Sequence, residues 1–270
     1  MSPIGIFDSG VGGLSVLRDV RKQLPGAPVI FLADQAHVPY GPRPLDEVRS
    51  FAVEITRWLL AQGAVLIVVA CNTASAAALY DLRQMFPETP FVGMEPAVKP
   101  AAEVSRTRVV GVLATPATFQ GALYASVVER FAQDVTILQD TCPGLVQQIE
   151  AGHLDTPKTR RILEAALSPM LEAGIDTVVL GCTHYPFVIP LIEKITGPGV
   201  RVIDPAPAVA RQVVRIYQMR TSLQELRQDE QGQIRFITTG DTTRFQALIP
   251  HLLGEGGNAE SVCWNAGRLD

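Results

Sequence analysis

Nine short strand-like runs punctuate the chain: Ile4–Phe7, Val29–Ala33, Val65–Ala70, Phe91–Met94, Val109–Ala114, Val135–Leu138, Thr177–Gly181, Arg201–Asp204 and Ile234–Thr238. Most are unbroken apolar, β-branched stretches, the pattern of strands buried on both faces. The stretches between them carry helical periodicity. Leu45, Val48, Ala52, Ile55 and Leu59 share one helical face, with Pro44 near its start and Gly63 just past its end. Those are the positions helix termini favour. Strand and helix in strict alternation predict an α/β fold built on doubly wound parallel sheets. The polar stretch Gln224–Gln233 reads as a solvated helix end and loop.

The alternation repeats at a larger scale. Gly5-Ile6-Phe7-Asp8-Ser9 aligns with Gly111-Val112-Leu113-Ala114-Thr115, and each is followed, 66 and 71 residues on, by a cysteine at the end of a strand-like run. The duplication predicts two similar domains related by pseudo-twofold symmetry, with an active site in the cleft between them. The predicted division is a discontinuous first domain, 1–95 with 206–270, and a second domain of 96–205.

Composition narrows the function. With 270 residues and 47% hydrophobic content the chain can bury sizeable cores. A net charge of −4 with dispersed Lys and Arg gives no basic stripe for nucleic acid. No apolar run approaches a membrane span, and Met1-Ser2-Pro3 leads into a strand with no basic region or cleavage-site pattern. The expectation is a cytoplasmic enzyme acting on a small molecule, with no nucleic-acid or membrane partner; a homodimer is allowed but not required. Four cysteines make no disulfide scaffold, and Cys142 and Cys263 read as ordinary core or surface residues.

The candidate chemistry lies in the other two cysteines. Cys71 follows Val65–Ala70 and opens Cys-Asn-Thr; Cys182 follows Thr177–Gly181 and opens Cys-Thr-His. Strand ends at the carboxyl edge of a parallel sheet are where such folds place ligands. His184 lies two residues past Cys182, and Asp8 ends the strand expected beside that of Cys71, so each sulfur has a proton-handling neighbour. A thiol of pKa near 8.5 can serve as acid or base at neutral pH after a small shift, so two opposed thiols can remove and return one proton. Three other readings fit less well. A zinc site usually has a tighter Cys-x-x-Cys pair; a Cys-His hydrolase leaves Cys71 unexplained; disulfide exchange leaves no room for substrate between the sulfurs. Asp8-Ser9-Gly10-Val11-Gly12-Gly13-Leu14 matches neither nucleotide-binding glycine pattern, but its amides are suited to a carboxylate at a helix N-terminus. In Pro39-Tyr40-Gly41-Pro42-Arg43 the Tyr40 hydroxyl and Gly41 amide are within reach of the cleft. His37, His153 and His251 have no motif around them.

GIFDSGVGGL, VPYG, ACNTAS and GCTHYP, in this order and spacing and across nearly the whole chain, resemble the glutamate racemases of the cofactor-independent aspartate/glutamate racemase superfamily. The resemblance implies interconversion of L- and D-glutamate without pyridoxal phosphate, other cofactor or metal, supplying D-glutamate for peptidoglycan. It implies that Cys71 acts on D-glutamate, assisted by Asp8, and Cys182 on L-glutamate, assisted by His184, with Glu150 as a further acidic member. On plain physics a Glu one turn from a helix end is a solvated surface residue. The implied substrate contacts are Asp8, Ser9, Tyr40, Gly41, Asn72, Thr73, Thr183 and His184, with Thr115 and Thr118 as hydroxyl donors. An aspartate racemase or related isomerase shares the two-cysteine plan. A bilobed amino-acid-binding protein would close on the same ligand but would need no thiols.

Overall fold

The computed structural model describes residues 2–220 and 232–270, so most of the polar stretch 224–233 lies outside the described residues. In chain order the strands are β1 (Ile4–Asp8), β2 (Val29–Ala33), β3 (Leu66–Val69), β4 (Phe91–Gly93), β5 (Val109–Ala114), β6 (Thr136–Asp140), β7 (Thr177–Gly181), β8 (Arg201–Ile203), β9 (Ile234–Thr238), β10 (Ala259–Ser261), β11 (Trp264–Asn265) and β12 (Arg268–Leu269). The helices are α1 (Leu14–Gln23), α2 (Leu45–Ala61), α3 (Asn72–Met85), α4 (Val98–Val104), α5 (Pro116–Gln120), α6 (Ala122–Phe131), α7 (Leu145–Glu150), α8 (Pro157–Glu172), α9 (Ile189–Thr196), α10 (Ala206–Arg220) and α11 (Thr242–Leu253). All nine strand-like runs of the sequence are strands.

Two parallel sheets carry the fold, one ordered β10-β9-β2-β1-β3-β4 and the other β6-β5-β7-β8. The segment β2-β1-β3-β4 has the same order as β6-β5-β7-β8, with β1 equivalent to β5 and β3 to β7. In each half the chain leaves the central strand in one direction and then returns to its other side. That reversal opens a crevice at the carboxyl ends of β1 and β3, and of β5 and β7, which is where open α/β sheets hold ligands.

Alternation within the strands explains why both faces of each sheet are covered. Ile4 and Ile6 of β1, with Phe31 of β2 and Val68 of β3, face one apolar cluster that continues into the second domain through Leu145, Leu163 and Leu180. Phe7, Leu32, Ile67 and Val69 face the opposite side, against Val48, Ala52, Ile55 and Leu59 of α2. Val110, Val112 and Val179 meet Ala101 of α4 and Val127 of α6. Each fully buried Val, Leu, Ile or Phe among these contributes about 1.5–3 kcal/mol relative to exposure. The helix expected after Pro44 runs over α2 with the predicted face inward, and Gly63 beyond its end has φ +87°, the left-handed conformation glycine allows. Two elements were not signalled by the sequence: the edge strand β10 and the β11-β12 hairpin, too short and polar to register. Among the described residues no helix is long and apolar enough to cross a membrane.

Candidate active site

Asp8 closes β1 and Cys71 follows β3; Thr115 follows β5 and Cys182 follows β7. The two crevices face each other, and their side chains line one narrow, nearly closed cavity of about 10 Å³. Ser9, Tyr40, Gly41, Cys71, Asn72 and Thr73 line it from the first domain, and Thr115, Cys182, Thr183 and His184 from the second. Asp8, Glu150 and Thr118 stand behind this lining. Pro39 and Val146 also line the cavity and were not anticipated; Val146 is an ordinary apolar helix residue by sequence and carries no signal. Among the described residues no cluster of three His, Cys, Asp or Glu side chains is arranged to hold a metal ion.

Each thiol has its own surroundings. Cys71, 5% exposed, caps α3, its sulfur accepting from the Ala74 amide at 3.4 Å. Burial, followed by the charge of Asp8, pushes the Cys71 thiol well above its ordinary value, while the Ala74 N–H pulls weakly the other way. Asp8, with no exposed surface, is itself raised by burial. Cys182 lies 3.8 Å from His184 Nδ1, and His184 Nε2 is 2.6 Å from Glu150 Oε1. Burial opposes charge on the imidazole, yet the bonds to Cys182 and Glu150 overcome it and hold His184 well above the usual histidine value. Burial would likewise raise Glu150, but His184, Gln35 and the Val11 amide hold it below the usual range. The result is a buried imidazolium–carboxylate pair behind Cys182.

The surface position expected for Glu150 from its local sequence is therefore corrected: only 8% exposed, it reaches across the cleft. The Val11 amide donates to its Oε1 at 2.8 Å and Gln35 Nε2 to its Oε2 at 2.9 Å. The glycine loop does hold carboxylates, but they are the protein's own: the Gly10 and Gly13 amides donate to Asp8 Oδ2 at 3.2 and 3.0 Å. Gln35 was missed because nothing in the sequence sets it apart. A second correction concerns Tyr40, which lines the cavity but whose hydroxyl is engaged by Asp34, donating to its Oδ2 at 2.6 Å; burial and Asp34 raise that phenol well above its ordinary value. Further links join the domains: Thr73 to Thr115 at 2.8 Å, Thr183 Oγ1 to Asp8 Oδ1 at 3.3 Å, and Ser15 Oγ to the Thr183 carbonyl at 2.9 Å. Thr115 also meets Thr118 at 2.9 Å. Asn72 is buried with neither side-chain polar atom hydrogen-bonded. Buried amides are normally satisfied, so Asn72 is available to a ligand in the cavity.

Comparison with known proteins agrees with this geometry. The family model for Asp/Glu/hydantoin racemases matches residues 4–213. A glutamate racemase of Roseiflexus sp. (strain RS-1) is 53% identical over 250 residues, covering 93% of this chain and 92% of that protein. The chain belongs to the Asp/Glu/hydantoin racemase family. Glutamate racemase isoform RacE1 from Bacillus anthracis superposes with a TM-score of 0.84 at 32% identity, over 99% of this chain and 98% of that one. Glutamate racemase from Francisella tularensis subsp. tularensis SCHU S4, solved in complex with D-glutamate, superposes with a TM-score of 0.82 at 27% identity, over 98% and 97%.

The His184–Glu150 pair sets a pH dependence for this racemase-family site. His184 is raised, so its contribution to stability is complete below its ordinary value near 6.5 and is lost as pH climbs through the higher folded value. Glu150 is lowered, so its contribution is complete above the ordinary glutamate value and is lost only as pH falls through the lower folded one. The pair is therefore intact on both sides of neutrality. Glu150→Gln removes the anion that favours the imidazolium. Its alkaline loss of kcat/KM is expected at lower pH than in the wild type, which a pH-rate profile of both proteins measures; coincident limbs would detach Glu150 from His184.

Proposed function

We propose that the chain is a glutamate racemase that exchanges the α-proton of glutamate between two thiols, with no cofactor in the step. Cys182 takes the proton from L-glutamate while Cys71 delivers one to the opposite face of Cα, and the roles reverse for D-glutamate, as microscopic reversibility requires. Asp8 serves Cys71; His184, held by Glu150, serves Cys182. What supports the reading most is the pairing itself: two buried thiols, one from each sheet, lining a single cavity, each backed by a different titratable group. The D-glutamate bound by the Francisella relative indicates the substrate.

The α-hydrogen is a very weak acid, so negative charge developing during its removal must meet preoriented donors in a dry site. Asn72, the Thr73–Thr115 hydroxyls, Ser9, Thr183 and the Tyr40–Gly41 backbone supply them in this proposal. We take 1–95 with 206–270 as the domain carrying Cys71 and 96–205 as that carrying Cys182; the participation of β9 and β10 in the first sheet supports this division. The product would supply peptidoglycan synthesis from the cytoplasm. Polarimetry of L-glutamate and, separately, D-glutamate with purified protein and no added cofactor tests the proposal. Both rotations are expected to decay to zero; decay with aspartate but not glutamate would redirect the substrate.

A further inference from the structure

We infer that the C-terminal β11-β12 hairpin positions the substrate-binding loop of this site, through a hydrogen bond from Trp264 to the buried carboxylate of Asp34. The inference rests on the racemase reading above. Asp34 directly follows β2, has no exposed surface, and has no lysine or arginine partner among the described residues. Four side chains surround its carboxylate instead. Oδ2 accepts from the Tyr40 hydroxyl at 2.6 Å and faces His37 Nδ1 at 2.9 Å; Oδ1 accepts from Thr239 Oγ1 at 2.8 Å and Trp264 Nε1 at 2.7 Å.

A carboxylate buried this deeply is tolerated only while its oxygens are supplied with donors. The donors come from the loop 37–40, the turn after β9 and the hairpin, so Asp34 ties these three segments together. The first of them continues into the cavity: Tyr40 and Gly41 line it, and the Gly41 carbonyl accepts from the Ala117 amide of α5 at 3.1 Å, across the domain boundary. A Cβ at Gly41 would sit 2.7 Å from Thr115 Cβ, so the loop is pressed against the opposite wall. Its backbone can hold substrate only if it is fixed from behind, and Asp34 is what stands behind it. Trp264 is a positioning residue on this account. The ring also packs edge-on to His37 at 5.0 Å and tilted against Phe51 at 5.5 Å, contacts a phenyl ring can largely keep.

Trp264→Phe therefore removes the N–H with little change of packing. The cost of ordering the loop moves to the binding step, so KM should rise about tenfold for both enantiomers while kcat changes less than about threefold, because the thiols are set by β3 and β7. Thr239→Val removes the other donor to the same oxygen and should act in the same direction. The test is KM and kcat in both directions for the wild type and the two variants, with melting temperatures alongside. Raised KM with near-normal kcat in either folded variant supports the inference; wild-type KM in both, whether or not their melting temperatures fall, overturns it. A wild type that fails to racemise glutamate overturns the racemase reading and this inference with it.

Discussion

Cys71→Ser and Cys182→Ser are each expected to lose racemisation by at least about 10³-fold, within the range that removal of a positioned acid or base produces. The physical reason differs at the two sites. Serine at 182 leaves the His184–Glu150 pair in place, but a hydroxyl is too weak an acid to become the base beside it at neutral pH. Serine at 71 keeps a cap for α3, since serine is a favoured N-cap residue, so the helix should form and the melting temperature should hold. Each variant needs only one lost thiol to stop the reaction, because in the proposed mechanism every turnover uses one sulfur as base and the other as acid. Kinetics in both directions check this. A single variant with near-normal turnover in either direction would remove that cysteine from the mechanism.

The second large effect is expected from the glycine loop. A Cβ added at Gly12 would stand 2.7 Å from His184 Cε1 and 2.8 Å from Thr183 Oγ1; one added at Gly10 would overlap the Glu150 carboxylate. Contacts this short force the imidazole away from Cys182 or hold the domains apart. Displacement of a catalytic group by about 1 Å costs on the order of 10²-fold, so Gly12→Ala should lower kcat/KM by at least that factor while the chain remains folded. Circular dichroism beside steady-state kinetics separates the two. A Gly12→Ala variant with wild-type kcat/KM would mean that the closed arrangement of His184 is not the working one.

These two predictions draw on parts of the site that differ in how readable they were. The thiols were legible because a buried strand ending in a polar cluster is a strong local pattern, and it occurs twice. Their partners Asp8 and His184 followed from adjacency in sequence or in the expected sheet. Glu150 was not legible on local grounds: Gln147-Gln148-Ile149-Glu150 has the character of a solvated helix end, and only the cross-domain bonds to Val11 and Gln35 bring it inside. Tyr40 lines the cavity as its loop suggested, but the engagement of its hydroxyl was not legible, since its acceptor, Asp34, sits in a segment with no motif. The hairpin escaped for the same reason. Strand order was predictable in kind, because doubly wound sheets reverse at a central strand, and the return of 206–270 to the first half was part of the predicted division, whereas the place of β9 beside β2, with β10 outside it, depends on long-range pairing that periodicity does not encode.

The most direct test of the two-thiol account follows the first turnovers of protonated L-glutamate in deuterated buffer by proton NMR, with the enantiomers resolved. A two-thiol exchange delivers a solvent-derived deuteron from Cys71 to the face opposite the one Cys182 has deprotonated. The account therefore predicts that the D-glutamate formed early is fully deuterated at Cα while the remaining L-glutamate keeps its proton. The mirror result is predicted from D-glutamate. A single shared base would return the abstracted proton to either face, so early D-glutamate retaining its α-proton, or deuterium entering the L pool as fast as D-glutamate forms, would contradict it.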